Sequence, residues 1–247
     1  MPLLEVTGLS KRFGGFVALD EINLAVAEGE RIGLIGPNGS GKSTLVNCIC
    51  GTLVNETGMV RFAGEKIDGL LTHERTRRGL ARSFQLPRPF ATLTVADNLR
   101  VPLLYTVNAR RSPALKPFEL DARCAELLTL VGLSAKGAKL PRDLTQVEMR
   151  KLELARAMAA EPKLLIADEA MAGLSQSEVD DIVGLLIRLN EGGITIILIE
   201  HNMQITMQVC DRIAVLDGGV KIAEGSPREI QNDAAVIAAY LGDEADA

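Results

Sequence analysis

The sequence predicts an α/β fold, a mainly parallel sheet covered by helices, with a helical insertion in the middle of the chain. Three observations carry this. Short apolar runs alternate with helix-length segments at both ends of the chain, the pattern of strands joined by crossover helices. The stretch from about Thr94 to Ala160 is mostly helical in pattern. A glycine-rich turn lies between an apolar run and a helical run at Arg31 to Cys50, the order of a strand–turn–helix unit.

Taken in order, Leu3 to Val6 and Phe16 to Val26 predict short strands, the second preceded by Gly14-Gly15. Arg31 to Ile35 predicts a strand ending in the glycine-rich turn. Lys42 to Cys50 predicts a helix, closed by Gly51. Met59 to Phe62 predicts another strand. In the insertion, Glu119 to Val131 predicts an amphipathic helix with Leu120, Leu127, Leu128 and Val131 on one face and Gly132 as its stop. Pro113 and Pro117 mark an irregular stretch before it. Lys163 to Ala167 predicts a buried strand, Ser177 to Leu189 a helix, and Ile194 to Ile199 a second buried strand. Asn202 to Val209 predicts a short helix. Arg212 to Leu216 and Val220 to Ala223 predict a hairpin around Asp217-Gly218-Gly219.

Composition sets the outer limits. The chain has 247 residues, enough for one large domain or a domain with a modest insertion. Hydrophobic residues make up 47% and charged residues 24%, so the chain as a whole is not disordered. The net charge is -5 and aromatics are 3%, with no Trp. That argues against a nucleic-acid partner, which calls for a basic surface or stacking platforms. Cys48, Cys50, Cys124 and Cys210 form no C-x-x-C pair, and His73 and His201 are the only histidines, so no zinc framework is expected. Buried free thiols in a reducing compartment are expected instead. The start MPLLEVTGLSKRF lacks the charged and apolar regions of a signal peptide. No apolar run approaches the roughly 18 residues of a membrane span. A soluble chain is expected, with any membrane part supplied by another chain.

The chemistry begins at Gly36-Pro37-Asn38-Gly39-Ser40-Gly41-Lys42-Ser43-Thr44, which fits G-x-x-x-x-G-K-[ST] in full. Glycines let the backbone curl so that several N–H groups point inward, and the helix N-terminus adds its positive dipole end. Lys42 is expected on the β- and γ-phosphates of the bound nucleotide, and the Ser43 hydroxyl on Mg²⁺. Leu164-Leu-Ile-Ala-Asp168-Glu169 is a buried strand ending in two acids. Asp168 is expected to hold Mg²⁺ through water, with Glu169 polarising the attacking water. His201 follows a core strand and is expected at the same edge, within reach of a γ-phosphate.

With these residues in place, the whole chain resembles the ATP-binding subunits of ABC transporters. The resemblance implies a P-loop NTPase core with a mainly parallel sheet, an N-terminal antiparallel β subdomain and a helical insertion subdomain. It implies core residues at about 1–85 and 161–225, a helical subdomain at 86–160 and a helical tail at 226–247. It makes Phe13 the aromatic that stacks on adenine, and Gln85 the loop glutamine that touches Mg²⁺ and senses the membrane partner. Leu144-Thr145-Gln146-Val147-Glu148 falls on the signature motif, so Thr145 would meet the γ-phosphate of a partner subunit's ATP. Ala172-Gly-Leu-Ser175 falls on the D-loop, His201 becomes the switch histidine and Glu169 the catalytic glutamate. Gly79-Leu-Ala-Arg-Ser-Phe-Gln85, Glu200-His-Asn-Met203 and the tail Ala223 to Gly242 are similar to ATPase subunits of branched-chain amino-acid importers.

The chain departs from that family where the usual signature is L-S-G-G-Q. Gln146 and Val147 add Cβ atoms where backbone must approach a phosphate, and Glu148 brings a carboxylate toward an anionic site. The family's shared-site arrangement then implies a heterodimer with a related ATPase, a homodimer being the alternative. Further partners implied are integral-membrane permease subunits and, indirectly, an extracytoplasmic solute-binding protein. The implied location is the cytoplasmic face of the inner (plasma) membrane. The competing classes are a non-transport ABC ATPase and a P-loop kinase. The first is disfavoured by the single P-loop and acidic balance, the second by Gln85, the 144–156 segment and His201.

Overall fold

The computed structural model describes residues 1–242 of the chain. Residues 243–247 of the expected tail lie outside the described residues. In chain order the elements are β1 (Leu4–Phe13), β2 (Phe16–Val26), β3 (Arg31–Ile35), α1 (Lys42–Cys50), β4 (Thr57–Phe62), β5 (Glu65–Lys66) and α2 (Thr72–Arg77). Then come β6 (Leu80–Ser83), α3 (Val95–Pro102), α4 (Pro117–Leu130), α5 (Gln146–Met158), β7 (Leu164–Asp168) and α6 (Gln176–Glu191). The chain continues as β8 (Thr195–Ile199), α7 (Met203–Val209), β9 (Arg212–Asp217), β10 (Val220–Gly225), α8 (Pro227–Gln231) and α9 (Ala234–Gly242). These elements divide into two compact units, Met1–Arg75 with the chain from Thr195 onward, and Thr76–Ile194.

The first unit holds an antiparallel sheet in the order β2-β1-β4-β5 and a largely parallel group in the order β10-β9-β3-β8. β3 runs parallel to both β8 and β9, while β10 returns antiparallel along β9. The parallel strands are apolar through their middles, as strands covered on both faces must be, with polar residues only at their ends. Ile32, Leu34, Ile196 to Ile199 and Ile213 to Leu216 are all buried. Each buried Ile, Leu or Val side chain among them contributes about 1.5–3 kcal/mol on removal from water. Gly33 in β3 is required by close approach: a Cβ there would lie 2.3 Å from Thr206 Cγ2, so α7 lies directly on the strand.

β1 is longer than the Leu3 to Val6 strand expected. Its alternation is broken by Gly8 at φ +56, where the register with β2 and β4 shifts, and pairing resumes beyond the irregularity as far as Phe13. The tail divides into α8 and α9. Ser226 and Glu229 form a capping box at the start of α8, which ends at Asn232.

In the second unit β6 and β7 pair in parallel, with Arg82 opposite Ile166. β7 is buried throughout. α4 buries Leu120, Leu127 and Leu128, with Val131 at its C-terminal end, the face expected from the sequence. Glu119 accepts from the Lys116 N–H at 2.6 Å and fixes the start of α4, with Pro117 in its first turn. Among the described residues no helix is long and apolar enough to cross a membrane.

Candidate functional site

In the first unit β3 delivers the chain into residues 36–41, and α1 leaves it. The Lys42 side chain is 6% exposed. Its ammonium donates to the carbonyls of Gly36 (2.7 Å) and Pro37 (2.8 Å), with Ser40 Oγ at 3.3 Å. The loop is therefore closed around its own lysine. Gly36 has φ +148, and a Cβ there would lie 2.0 Å from the Leu216 carbonyl oxygen. No other residue fits that position.

The loop has a backing that the sequence did not disclose. Gly219, in the turn between β9 and β10, donates its N–H to the Ser40 carbonyl at 3.2 Å and accepts from the Asp20 N–H at 2.8 Å. The hairpin turn at 217–219 thus braces residues 36–41 while β2 braces the turn. The tail adds Tyr240, hydrogen-bonded to the Gly36 backbone. Burial pushes its phenol up, and the Gly36 contact offsets part of that.

Phe13 ends β1 and pairs with Phe16 across the Gly14-Gly15 turn. It is 48% exposed, with Lys11 Nζ 5.4 Å from the ring centroid. One face of an exposed ring is what stacking on a base requires. His201 lies between β8 and α7 and is exposed. Asn202 caps α7, its Oδ1 accepting from Gln204 N (3.0 Å) and Ile205 N (3.3 Å). The cap fixes where the chain turns beside His201.

In the second unit the two acids at the end of β7 are both engaged. Asp168 is 7% exposed, and its Oδ2 accepts from Arg82 Nη2 (2.5 Å) and Nε (3.2 Å). Glu169 follows at φ +46, a left-handed conformation costing about 1 kcal/mol or more in a non-glycine residue. Its carboxylate accepts from Gln85 Nε2. Segment 82–85 therefore holds both acids, one each, and the Arg82 contact was not expected from the sequence.

The altered signature is a helix cap. Thr145 Oγ accepts from the Glu148 N–H (3.3 Å), and Glu148 Oε2 accepts from the Thr145 N–H (2.9 Å). Lys136 pairs with Glu148 at 3.2 Å. The Thr145 backbone N–H, then Lys136, hold the Glu148 carboxyl below its ordinary range. Its charge is thus partly answered inside the chain, which tempers the repulsion expected of it. In the segment 172–175, the Glu178 carboxylate accepts from both the Ser175 N–H (2.9 Å) and the Ser175 hydroxyl (2.7 Å) and so closes the start of α6. Arg150 Nη2 holds the Ala172 carbonyl at 3.3 Å.

The donors singled out for a cation are the Ser43 hydroxyl, the Gln85 amide and the Asp168 carboxylate. All are hard oxygen donors, a set that suits Mg²⁺ kept partly hydrated.

Comparison with known proteins fits this chemistry. Residues 19–172 match the family described as "ABC transporter", and residues 220–246 match the "Branched-chain amino acid ATP-binding cassette transporter" family. A high-affinity branched-chain amino acid transport ATP-binding protein of Pseudomonas aeruginosa, BraF, is 38% identical, with 98% of each chain covered. LivG of Escherichia coli K12, of the same description, is 37% identical at the same coverage. Among solved structures, the ADP conformation of MJ1267, an ATP-binding cassette of an ABC transporter, aligns with a TM-score of 0.86 and 30% identity, covering 98% of this chain and 99% of that one. The chain belongs to the ABC transporter ATP-binding family, and its α/β fold with an antiparallel N-terminal sheet is that of the family's cassettes.

Proposed function

We propose that the chain is the ATP-binding and ATP-hydrolysing subunit of an ABC importer for branched-chain amino acids or related small polar solutes. The observation that carries the solute class is the match of residues 220–246 to the branched-chain family, in addition to the cassette itself. That tail match also argues against a non-transport ABC ATPase. We place the protein at the cytoplasmic face of the inner membrane, bound to permease subunits through the helical subdomain at 86–160. A solute-binding protein on the other side would select the cargo.

The chemistry divides among named residues. Phe13 stacks on adenine. The backbone of residues 36–41, to which Pro37 adds shape but no N–H, cradles the phosphates together with Ser43 and Thr44. Lys42 gives up its loop carbonyls to the β- and γ-phosphates, so its buried ammonium is already in place before nucleotide arrives. Ser43, Gln85 and, through water, Asp168 would hold Mg²⁺. When bound, Mg²⁺ neutralises charge on the phosphate oxygens as the γ-phosphoryl group leaves. Glu169 orients and polarises the attacking water, which requires Gln85 to release its carboxylate. His201 donates to the γ-phosphate. A partner ATPase supplies the signature for this site, and Thr145 serves the partner's ATP. MJ0796, a cassette 27% identical to this chain, is described as dimeric with ADP and Pi bound.

Expression in a bacterium lacking the ATPase subunit of its own branched-chain importer tests the reading. Leucine uptake should return with the wild-type chain and not with Lys42→Ala. Purified protein should release one free phosphate per ADP formed. Transfer of that phosphate to a small-molecule acceptor would favour the kinase class, and uptake restored only for an unrelated solute would overturn the solute assignment.

A further inference from the structure

Arg82 sits between the catalytic acids and the loop that follows β6. Its guanidinium grips one oxygen of Asp168 through two nitrogens, with both side chains nearly buried at 13% and 10% exposure. The same guanidinium lies 5.2 Å from the Phe84 ring centroid, and Arg88 lies 5.5 Å from that ring. The Arg88 carbonyl accepts from Arg156 Nη1 at 2.7 Å, and Arg156 in turn lies 5.1 Å from the Phe90 ring. Asp168 is thus connected through Arg82 to loop 84–90, and that loop is anchored on α5.

A carboxylate already paired with a guanidinium is a poorer partner for a second cation. One lone-pair direction is taken, and the resident positive charge repels the newcomer. The pair is shielded from water, so the repulsion is weakly screened. We propose that Arg82 is the internal counter-ion of Asp168 and competes with the divalent metal for it, with Phe84 setting the strength of that competition by tying the guanidinium to loop 84–90. This rests on the reading of Asp168 as the metal-holding acid. Arg82 is then a positioning residue: it touches neither nucleotide nor reacting atoms. Movement of loop 84–90 draws the guanidinium toward or away from Asp168 and changes how tightly the metal is held.

The test uses the full chain in complex with ADP and Mn²⁺ as the probe, free Mn²⁺ being read by its electron paramagnetic resonance signal. ADP affinity measured in EDTA should stay within about twofold for Arg82→Gln, Arg82→Lys and Phe84→Leu, since none of these side chains contacts the nucleotide in this reading. The Mn²⁺ dissociation constant should fall about tenfold in Arg82→Gln and about threefold in Phe84→Leu, while Arg82→Lys, which keeps the charge, stays within about twofold. A merely structural Arg82 would never tighten metal binding on removal. Unchanged or weaker Mn²⁺ binding in both Arg82→Gln and Phe84→Leu overturns the proposal. Should Arg82→Gln fail to fold, Phe84→Leu decides alone, because it keeps the Arg82 charge and removes only the ring that ties the guanidinium in place. A wild-type chain that binds no ADP overturns the nucleotide reading itself. Normal ADP and Mn²⁺ binding that ignores both substitutions overturns only the role of Arg82.

Discussion

Thr145 shows how one residue serves two masters. In this chain its hydroxyl accepts the Glu148 N–H, and its own N–H is taken by the Glu148 carboxylate. The cap satisfies an N–H that the first turn of α5 would otherwise leave unpaired. Thr145→Ala should therefore cost about 1 kcal/mol in urea unfolding, and Thr145→Ser should keep wild-type stability, since its hydroxyl caps as well. The cysteines are a second residue-scale case. Cys48, Cys50, Cys124 and Cys210 are free and buried. Burial raises the Cys48 and Cys124 thiols and pushes Cys210 up to about 12. A raised thiol is protonated at pH 8 and unreactive. The folded protein should leave all four cysteines unlabelled by a thiol reagent at pH 8, and the denatured chain should label all four. Rapid labelling of Cys210 in the native state would contradict the burial that its neighbours impose.

At the scale of elements, α1 shows why some boundaries were legible and others not. The sequence signals at both its ends are local. Residues 36–41 open it, and Gly51 closes it in the left-handed conformation at φ +79. The sequence alone places it at Lys42 to Cys50, as found. β1 was read too short because the residues that extend it lie on β2 and β4, far along the chain. β5, α2 and β6 are short and carry no periodic signal, so the chemistry of 79–85 was visible while its strand was not. Arg82 and Asp168 are 86 residues apart, and no spacing rule joins them. Arg75 on α2 is a similar case. It is buried, and Nη1 donates to the carbonyls of Cys48 and Ile49, each at 2.7 Å, with Nε on Leu70 at 3.1 Å. It closes the C-terminal end of the helix whose other end holds the phosphate loop. Arg75→Met should cost about 2–3 kcal/mol, because buried carbonyls lose a charged donor. Arg75→Lys should recover less than half, since an ammonium lacks the planar fork that serves several carbonyls at once. Full recovery of wild-type stability by Arg75→Lys would show that charge alone matters there.

For the whole molecule, the decisive asymmetry lies between a complete phosphate loop and an altered signature. Phe13, residues 36–44, Gln85, Asp168, Glu169 and His201 keep the groups that the proposed hydrolysis asks of this chain's own side of a site. At the signature, Gln146 and Val147 replace the family's glycines, and the Thr145 N–H already serves Glu148. The Gln146 amide also lies near Gly173, where a Cβ would be 3.1 Å from its Nε2. A phosphate approaching this surface meets side chains and an occupied N–H in place of bare backbone. Two copies of the chain would place that surface in both sites, whereas a heterodimer would place it in only one. Glu169→Gln, which should bind Mg·ATP without turning it over, isolates the question. By size-exclusion chromatography with light scattering it should remain monomeric with Mg·ATP alone. Adding a related ATPase that carries an ordinary signature should produce a dimer of one copy each. A homodimer of the variant would mean that a Thr-Gln-Val-Glu cap still closes on phosphate, and a symmetric transporter would follow. The second arm separates a weak signature from a failed nucleotide site: a chain that cannot bind ATP joins neither partner, while one with a poor signature joins the partner that supplies a good one.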